Sequence, residues 1–397
     1  MTSPDPESGE APVKFVSADP RDTALALAPL LAPRSEEIEH GRRLPDDVAK
    51  QLAAGGFYRM FVPKACGGLE TPPGEAMEAI ETLARADAAS AWVAFIGATS
   101  GSVLASLPTE TGRAIFADPL AMIAGVYAPR GRAEIVDGGF RVEGQWAWGS
   151  GTQNADWILG GCLIHEGGEP ARHANGAPKT RLMLFPASDV EHLDTWHVSG
   201  LGGTGSADFA VHERFVPDSH ASGRLVDGTL DRPLYRFPQF GLLGTSIAAV
   251  AMGIARAAIE EFVEVAVEKT PSGSRRSLAA RSGSQAEVAR AEATLRSARA
   301  FFFEAIDAAW REALEGDVSL ARRSDVRLAT THATHAAAEA VDRMYHGVGG
   351  TSVYRRSPLQ RHFRDVHVAT QHMMVGPATW ELTGRVLLGL ETDPTTL

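Results

Sequence analysis

The segment 144–151 combines two tryptophans with a hydroxyl, in the order Gly-Gln-Trp-Ala-Trp-Gly-Ser-Gly. Residues two apart on a β-strand point to the same side, so we expect Trp148 and Ser150 to face one ligand. The indole can then stack on a flat ring while the hydroxyl binds the edge of that ring. An alternative is that Trp146 and Trp148 belong to the core and that Ser150 begins a turn.

A second candidate is the glycine-rich segment 346–350, His-Gly-Val-Gly-Gly, at the end of a predicted helix. Where side chains are missing, backbone N–H groups can reach an anion such as a phosphate. A helix cap explains Gly347 equally well, but the glycine pair 349–350 exceeds what a cap needs. Three arginines in a Ser/Gly-rich loop either bind an anion or form a solvated basic surface: Arg275, Arg276 and Arg281.

Histidines are the third group of candidates, although the chain has 13 of them and most must be structural or exposed. His367 and His372 lie just before the break that Gly376-Pro377 makes between two predicted helices, and active-site residues often lie in such connections. An imidazole can donate or accept a proton near neutral pH. His332 and His335 have i, i+3 spacing but no matching cluster of Asp, Glu or Cys residues, so we predict no metal site.

The apolar pattern divides the chain into a disordered polar tail (residues 1–21) and three folded regions. Residues 22–119 and 227–397 have the period of helices, and residues 120–226 have that of strands. In the middle region Asp137-Gly138 predicts a hairpin. Long helices with apolar stripes predict a C-terminal four-helix bundle. The expected fold is therefore α+β and mostly α: a helical domain, a small β-barrel or sandwich, and a bundle.

Composition excludes several classes of function. The net charge of −11 argues against a nucleic-acid partner, which would need a basic surface. Cys66 and Cys162 are too few for a disulfide framework or a structural zinc site. No apolar run approaches the roughly eighteen residues of a membrane span, and the N-terminus does not resemble a secretory signal. A cytoplasmic enzyme with a small-molecule substrate is the expectation.

The order of helices, barrel and bundle, with four motifs, resembles the acyl-CoA dehydrogenase superfamily over about residues 22–390. The motifs are Phe61-Val62-Pro63-Lys64 with Gly67-Gly68, the segment 144–151, the segment 200–206 followed by Val216-Pro217, and the segment 346–350. The resemblance implies a flavin whose N5 atom is bound by Ser150 and whose ring contacts Trp148. The other flavin contacts that it implies are Gly151, Thr204, Ser206, Arg276, His346, Gly349 and Gly350.

One branch of the superfamily fits better than the dehydrogenases. Many acyl-CoA dehydrogenases have a glutamate base shortly after an Arg-Asp pair, but no carboxylate lies between Asp365 and Glu381 here. The segment 361–372 instead resembles two-component monooxygenases, which take reduced FMN or FAD from a separate NAD(P)H reductase and use O2. The match implies that His372 is catalytic and that His367 is a structural partner, which we expect to pair with Asp365. Trp92 and Met373 are the expected substrate contacts.

The chemistry of that branch suits these residues. A flavin C4a-hydroperoxide is protected if Ser150 slows the loss of the N5 proton, and His372 can donate a hydrogen bond or deprotonate a phenol, whose pKa is near about 10. Phenol-hydroxylating relatives often have a second histidine near the position of Ser100, where this chain has none. An indole, a sulfur heterocycle or an amine is therefore more plausible than a phenol.

Three alternatives stay open at this point: an acyl-CoA dehydrogenase-type oxidoreductase, an N- or S-oxygenase of the same fold, and a non-catalytic paralogue.

The helices of the third region carry more apolar residues than one bundle core requires, including Phe301-Phe302-Phe303 and Trp310. We therefore expect a homo-oligomer, and the resemblance suggests a tetramer.

Overall fold

The computed structural model describes residues 19–222 and 230–397. Most of the predicted tail, residues 1–18, and the predicted boundary at residues 226/227 lie outside the described residues. The first helix begins at Pro20, two residues before the predicted start of the helical region. It begins there because the Asp19 carboxylate accepts a hydrogen bond from the backbone N–H of Arg21 and caps the helix.

The N-terminal region is helical, as predicted. Its most buried helix, α5, is apolar on all sides, carries Trp92, and packs against both the middle sheet and the third region. Trp92 therefore lies where the N-terminal region meets both the sheet and the third region. The helices of this region are Pro20–Leu31 (α1), Ser35–Gly41 (α2), Asp46–Ala54 (α3), Pro73–Ala86 (α4), Ala88–Gly101 (α5) and Thr109–Ile115 (α6).

Within residues 123–217 the chain forms a seven-stranded sheet of order β4-β3-β1-β2-β7-β6, with β5 also paired to β3. The predicted hairpin is confirmed, since β1 and β2 pair antiparallel around Gly138, whose φ is +73°. A bridge between Met183 and Ala221 joins β5 to the segment after β7, so the sheet closes partly into a barrel. The strands are Ile123–Val136 (β1), Gly139–Trp146 (β2), Trp157–Glu166 (β3), Glu169–Pro170 (β4), Thr180–Pro186 (β5), Glu191–Leu193 (β6) and Asp208–Pro217 (β7).

The third region is the predicted helical bundle. The helices α8, α9, α10 and α11 pack together, and α12 packs on α10. Leu295, Phe302 and Ile306 form part of the buried stripe of α9, as their spacing predicts. The helices are Pro233–Arg236 (α7), Gln239–Glu268 (α8), Ser282–Glu315 (α9), Leu320–Val348 (α10), Pro358–Ala369 (α11) and Pro377–Leu387 (α12).

Among the described residues, two helical segments are long and apolar enough, by length and composition, to cross a membrane: Ala88–Ser106 and Gln239–Glu268. In the most apolar window of each, 94% and 83% of the residues are buried inside the fold. The sequence-based statement that no apolar run approaches this length is therefore wrong for both segments. The apolar residues of α8 form the centre of the bundle. Both cysteines are buried and free.

Candidate active site

The turn after β2 places Trp148 and Ser150 differently from the sequence-based expectation. Strand β2 ends at Trp146, whose buried indole donates a hydrogen bond to the carbonyl of Gly161 at 2.8 Å. Trp148 then adopts a left-handed backbone with φ +63°. Its side chain is 74% exposed, whereas Ser150 is 7% exposed. The prediction that the two residues share one face of a strand is therefore wrong, because the strand has already ended.

Ser150 begins a chain of hydroxyl groups that we call the hydroxyl chain: Ser150, Ser206 and Thr204. The Ser150 and Ser206 oxygens are 2.6 Å apart, and those of Ser206 and Thr204 are 2.7 Å apart. All three residues are buried. At one end Trp92 Nε1 donates to Ser150 Oγ at 3.2 Å, and at the other Thr204 Oγ1 donates to the carbonyl of Leu201 at 2.8 Å.

These contacts fix the direction of the hydroxyl chain, because a hydroxyl has only one proton to donate. Thr204 donates to Leu201, so Thr204 must accept from Ser206, and Ser206 must in turn accept from Ser150. The proton of Ser150 is therefore used inside the protein. Towards a ligand, Ser150 Oγ presents a lone pair and acts as a hydrogen-bond acceptor.

The far end of the hydroxyl chain is held by helix α11. Asp365 Oδ1 accepts the backbone N–H of Leu201 at 2.6 Å, and burial raises the pKa of this carboxyl to about 7. The prediction that His367 pairs with Asp365 is wrong, since residues two apart on a helix do not face each other. His367 Nε2 lies 2.8 Å from Asp342 Oδ1 instead.

His372 follows α11 in the connection to α12. Its Nδ1 accepts the backbone N–H of Met374 at 3.2 Å, so Nε2 carries the proton of the neutral ring. Burial, with a smaller contribution from the charge of Arg327, lowers the pKa of His372 to about 4. The ring is neutral at physiological pH and offers an Nε2–H donor. Met373 beside it is 74% exposed, whereas Met374 is buried.

Trp92 joins residues from all three regions of the chain. Its ring centre lies 6.1 Å from that of His372, and its Nε1 contacts Ser150. We call Trp92, Ser150 and His372 the reaction cluster. Sequence reasoning selected Trp92 only as a substrate contact and missed its hydrogen bond to Ser150, because no local pattern reveals a contact between residues 58 positions apart.

The glycine turn lies in a different place from the reaction cluster, and no described contact joins the two. Gly347 has a packing role, since a Cβ there would lie 2.6 Å from the ring of Phe262. Gly349 has φ +69°, and both Gly349 and Gly350 have open space where a side chain would be. His346 and Arg276 are exposed.

Lys269 is a cation beside the glycine turn, and no sequence motif pointed to it. Its Nζ donates to the carbonyl of Val348 at 2.5 Å and to Thr351 Oγ1 at 2.6 Å. A cation next to an open glycine backbone is suited to an anionic group such as a phosphate. In the described ranges, 19–222 and 230–397, no group of three or more His, Cys, Asp or Glu side chains is placed to hold a metal ion.

These features fit a bound reduced flavin. A reduced isoalloxazine carries a proton on N5, and Ser150 Oγ presents an acceptor. The open glycines and Lys269 suit a phosphate group. Gly151 supports the turn at the ring end, because its φ of +71° favours glycine and its N–H donates to the carbonyl of Thr204 at 2.9 Å.

Known proteins resemble this chain over nearly its whole length. The acyl-CoA dehydrogenase N-terminal domain model matches residues 22–122, and the C-terminal domain model matches residues 245–377. An indole-3-acetate monooxygenase from Pseudomonas putida is 36% identical over 97% of both chains. The flavin-dependent monooxygenase oxygenase subunit HsaA of Rhodococcus jostii is 32% identical, covering 89% of this chain and 93% of its own length.

A solved structure agrees with these relatives. That of XiaF from Streptomyces sp., in complex with FADH2 and glycerol, is 25% identical with a TM-score of 0.85, covering 94% of this chain and 96% of its own. The fold and the family models thus define the class, the acyl-CoA dehydrogenase superfamily. The chain belongs, within that class, to the flavin-dependent monooxygenases, as an oxygenase component that uses reduced flavin. The resemblance drawn from the sequence is confirmed.

Proposed function

We propose that this monooxygenase oxygenates a small aromatic or heteroaromatic substrate at the reaction cluster of Trp92, Ser150 and His372. A separate NAD(P)H reductase supplies reduced FMN or FAD. The observation that carries the proposal is that a serine with only an acceptor to offer a ligand and a neutral, proton-bearing histidine meet around one buried tryptophan. Reduced flavin, when bound, supplies the electrons that activate O2.

Ser150 is the residue that we propose to select the reduced form. Its oxygen accepts from Trp92 and has its own proton engaged by Ser206. An acceptor pairs with the N–H at N5 of a reduced ring, whereas oxidised N5 has no proton to offer. The direction of the hydroxyl chain therefore disfavours the oxidised cofactor, because two facing lone pairs leave both groups unpaired.

His372 acts as a hydrogen-bond donor in this proposal, rather than as a base. Its Nδ1 is engaged by Met374 and its Nε2 carries the proton. A ring whose pKa is about 4 is also a weak base towards a phenol. Of the two roles that the sequence left open, the donor role is the better supported.

Other residues would contact the substrate and the rest of the flavin. We propose that Trp92 and Met373 line the substrate side, although Met373 is exposed in this chain. Trp148, Gly151, Thr204 and Ser206 would surround the ring end of the flavin. The groups proposed for its phosphate end are Arg276, His346, Gly349 and Gly350, to which the structure adds Lys269.

The substrate class rests on two observations. A relative that is 36% identical over 97% of the chain is an indole-3-acetate monooxygenase, and the histidine found near Ser100 in phenol-hydroxylating relatives is absent here. We therefore propose an indole-type or other heteroaromatic substrate oxygenated at carbon. We further propose that the enzyme works in the cytoplasm, where a reductase can supply reduced flavin, and that it is a homotetramer.

The test is single turnover of the protein with reduced FMN or FAD, oxygenated buffer and indole-3-acetate, followed by mass spectrometry. A product 16 mass units heavier, with oxygen derived from 18O2, supports the proposal. Oxygen added at nitrogen or sulfur of a panel of amines and thiophenes, with indoles unchanged, would point to the N- or S-oxygenase alternative. Reduction of bound oxidised flavin by an acyl-CoA thioester would contradict a monooxygenase.

A further inference from the structure

Arg327 is a buried cation without a partner in the described part of the chain. It lies on α10, in the interior of the bundle, and is 2% exposed. Neither Nε nor Nη1 of its guanidinium has a hydrogen-bond partner among residues 19–222 and 230–397. Burial lowers the pKa of this guanidinium to about 10, and the group therefore remains charged at neutral pH.

The end of Arg327 lies close against the backbone of α8 at Gly244, where the absence of a side chain leaves room for the guanidinium. A Cβ at Gly244 would lie 2.8 Å from Arg327 Nη1 and 3.3 Å from the Thr330 Cγ2 atom. Thr330 also has a buried hydroxyl with no partner among the described residues. Two polar groups that lack partners therefore lie next to a position where the chain has no side chain.

The Arg327 guanidinium lies near the reaction cluster. The charge of Arg327 is one of the two causes that lower the pKa of His372. The carbonyl of Met374, whose N–H holds the imidazole of His372, is 4.0 Å from the position of a Gly244 Cβ. A ligand that contacts both His372 and Arg327 would therefore extend from the reaction cluster into the bundle.

We propose that Arg327 binds a carboxylate on the substrate, so that the enzyme acts on aromatic acids whose ring lies at Trp92 and His372. The inference rests on the proposed function and specifies its substrate class. A buried charge without a partner does not stabilise a fold, whereas a guanidinium and a carboxylate form a paired, charge-assisted contact of high specificity. The hydroxyl of Thr330 supplies a further polar contact next to that pair.

The first experiment measures binding, without turnover. The protein is loaded anaerobically with reduced FMN or FAD and titrated with indole-3-acetate, phenylacetate and 4-hydroxyphenylacetate, each paired with its neutral primary amide. We expect at least one acid to bind much more tightly than its amide. In Arg327→Gln the affinity for that acid should fall about a hundredfold, as when one partner of a buried charge pair is removed, while the affinity for the amide should change little.

Three further variants make the experiment decisive. Gly244→Ala keeps the charge but places a methyl group against the flexible end of Arg327, so acid binding should weaken about tenfold even if Arg327→Gln fails to fold. Arg323→Gln removes the same charge one turn earlier on α10, where the arginine contacts the carbonyl of Leu397 at 3.1 Å. Gly384→Ala adds a methyl group into open space. Both controls should bind acids as the unaltered protein does.

The outcomes separate this inference from the proposed function. Equal affinity for every acid and its amide, or undiminished acid binding in both Arg327→Gln and Gly244→Ala, overturns the carboxylate site even if products are oxygenated. Acid-selective binding that depends on Arg327 supports the site. If that binding occurs and no acid is oxygenated in single turnover, the proposed function is wrong and the carboxylate site remains.

Discussion

At the scale of single residues, the protonation of each group is set by its neighbours and by burial. Ser150 is an acceptor towards a ligand because its own hydroxyl donates to Ser206. Ser206 in turn donates to Thr204, and Thr204 donates to the carbonyl of Leu201. His372 is a donor because a backbone N–H engages its Nδ1. The residue types alone do not determine these roles, because serine and neutral histidine can each donate or accept a hydrogen bond. Both arise from hydrogen bonds that have only one consistent direction, and they yield two predictions.

Ser150→Ala should keep the fold but lower the coupling of NADH oxidation to product. The N–H of the reduced ring then loses its acceptor, so more reducing equivalents should leave as hydrogen peroxide. Ser206→Ala should show an intermediate effect, because Ser150 is then free to donate and loses its fixed direction. Peroxide released per NADH, measured with the reductase present, is the readout. Ser35→Ala, a buried hydroxyl that bonds Ala32 and Ala86 instead, should leave coupling unchanged.

His372→Ala should lower product formation about a hundredfold, at the low end for groups that take part in proton chemistry. His372→Gln, which keeps an N–H donor, should recover part of that loss. Because the folded pKa is about 4, the rate should show no histidine-like titration between pH 5 and 8. A step near pH 6.5 that disappears in His372→Gln would contradict the donor role. His367→Ala breaks only a half-exposed pair with Asp342 and should retain turnover.

The lowered pKa of His372 also affects the stability of the fold. The unfolded chain binds a proton at His372 near pH 6.5, whereas the folded chain does so only near pH 4. Lowering the pH between these values therefore favours unfolding, by about 1.4 kcal/mol per pH unit at most for this group. The free energy of unfolding of His372→Gln, measured in urea, should fall less steeply from pH 6.5 to 4 than that of the unaltered protein.

At the scale of elements, helix α11 and the loop before β7 act as one unit. Gly200 packs against the backbone of Arg364, since a Cβ there would lie 2.5 Å from the Arg364 carbonyl. The Asp365 carboxyl accepts the Leu201 N–H, and the Leu201 carbonyl accepts a hydrogen bond from the Thr204 hydroxyl. The third region thereby fixes the far end of the hydroxyl chain. The sequence motif 200–206 indicated that the segment matters, but not that a helix more than 150 residues away holds it.

Asp365→Ala should leave the Leu201 N–H without its partner, at a cost of about 1–3 kcal/mol, and should also raise peroxide release. Asp365→Asn keeps an acceptor and should retain coupling. The carboxyl has a folded pKa of about 7, above its usual 3.8, so its stabilising contribution is present below pH 3.8 and is lost as pH rises through 7. Asn at this position should therefore gain stability relative to Asp between pH 5 and 8, as urea unfolding would measure.

Sequence patterns predict some parts of this molecule well and others poorly. The stripe of α9 and the hairpin at Gly138 depend on local periodicity and turn chemistry, and these predictions are confirmed. The pairing of His367 and the direction of Trp148 depend on where a helix face points and where a strand ends. Arg327 gave no sequence signal, because an arginine on a helix is usually solvated. Only its surroundings in three dimensions make it unusual.

At the scale of the whole molecule, the exposed apolar surface that could form an oligomer lies away from the phenylalanines and Trp310 of α9, to which the sequence pointed. Phe302 is buried in the bundle, and Phe303 and Trp310 pack against its core. Among the exposed large apolar side chains, two groups lie close together in sequence near the C-terminus: Val353 with Tyr354, and Leu387, Leu388 and Leu390 at the end of α12. Clusters of this kind mark interfaces more often than isolated exposed residues do. The expected oligomer would then form through the C-terminal helices.

We therefore predict a homotetramer whose contacts include the end of α12. Leu388, which is 76% exposed, should be central, because a charge there would have to be buried in the assembly without a partner. Leu388→Glu should shift the molecular mass in multi-angle light scattering at micromolar concentration from a tetramer towards dimers or monomers. Leu25→Glu, at an exposed leucine of α1, should leave the tetramer intact. A monomeric unaltered protein would refute the assembly, and a tetrameric Leu388→Glu variant would move the interface away from α12.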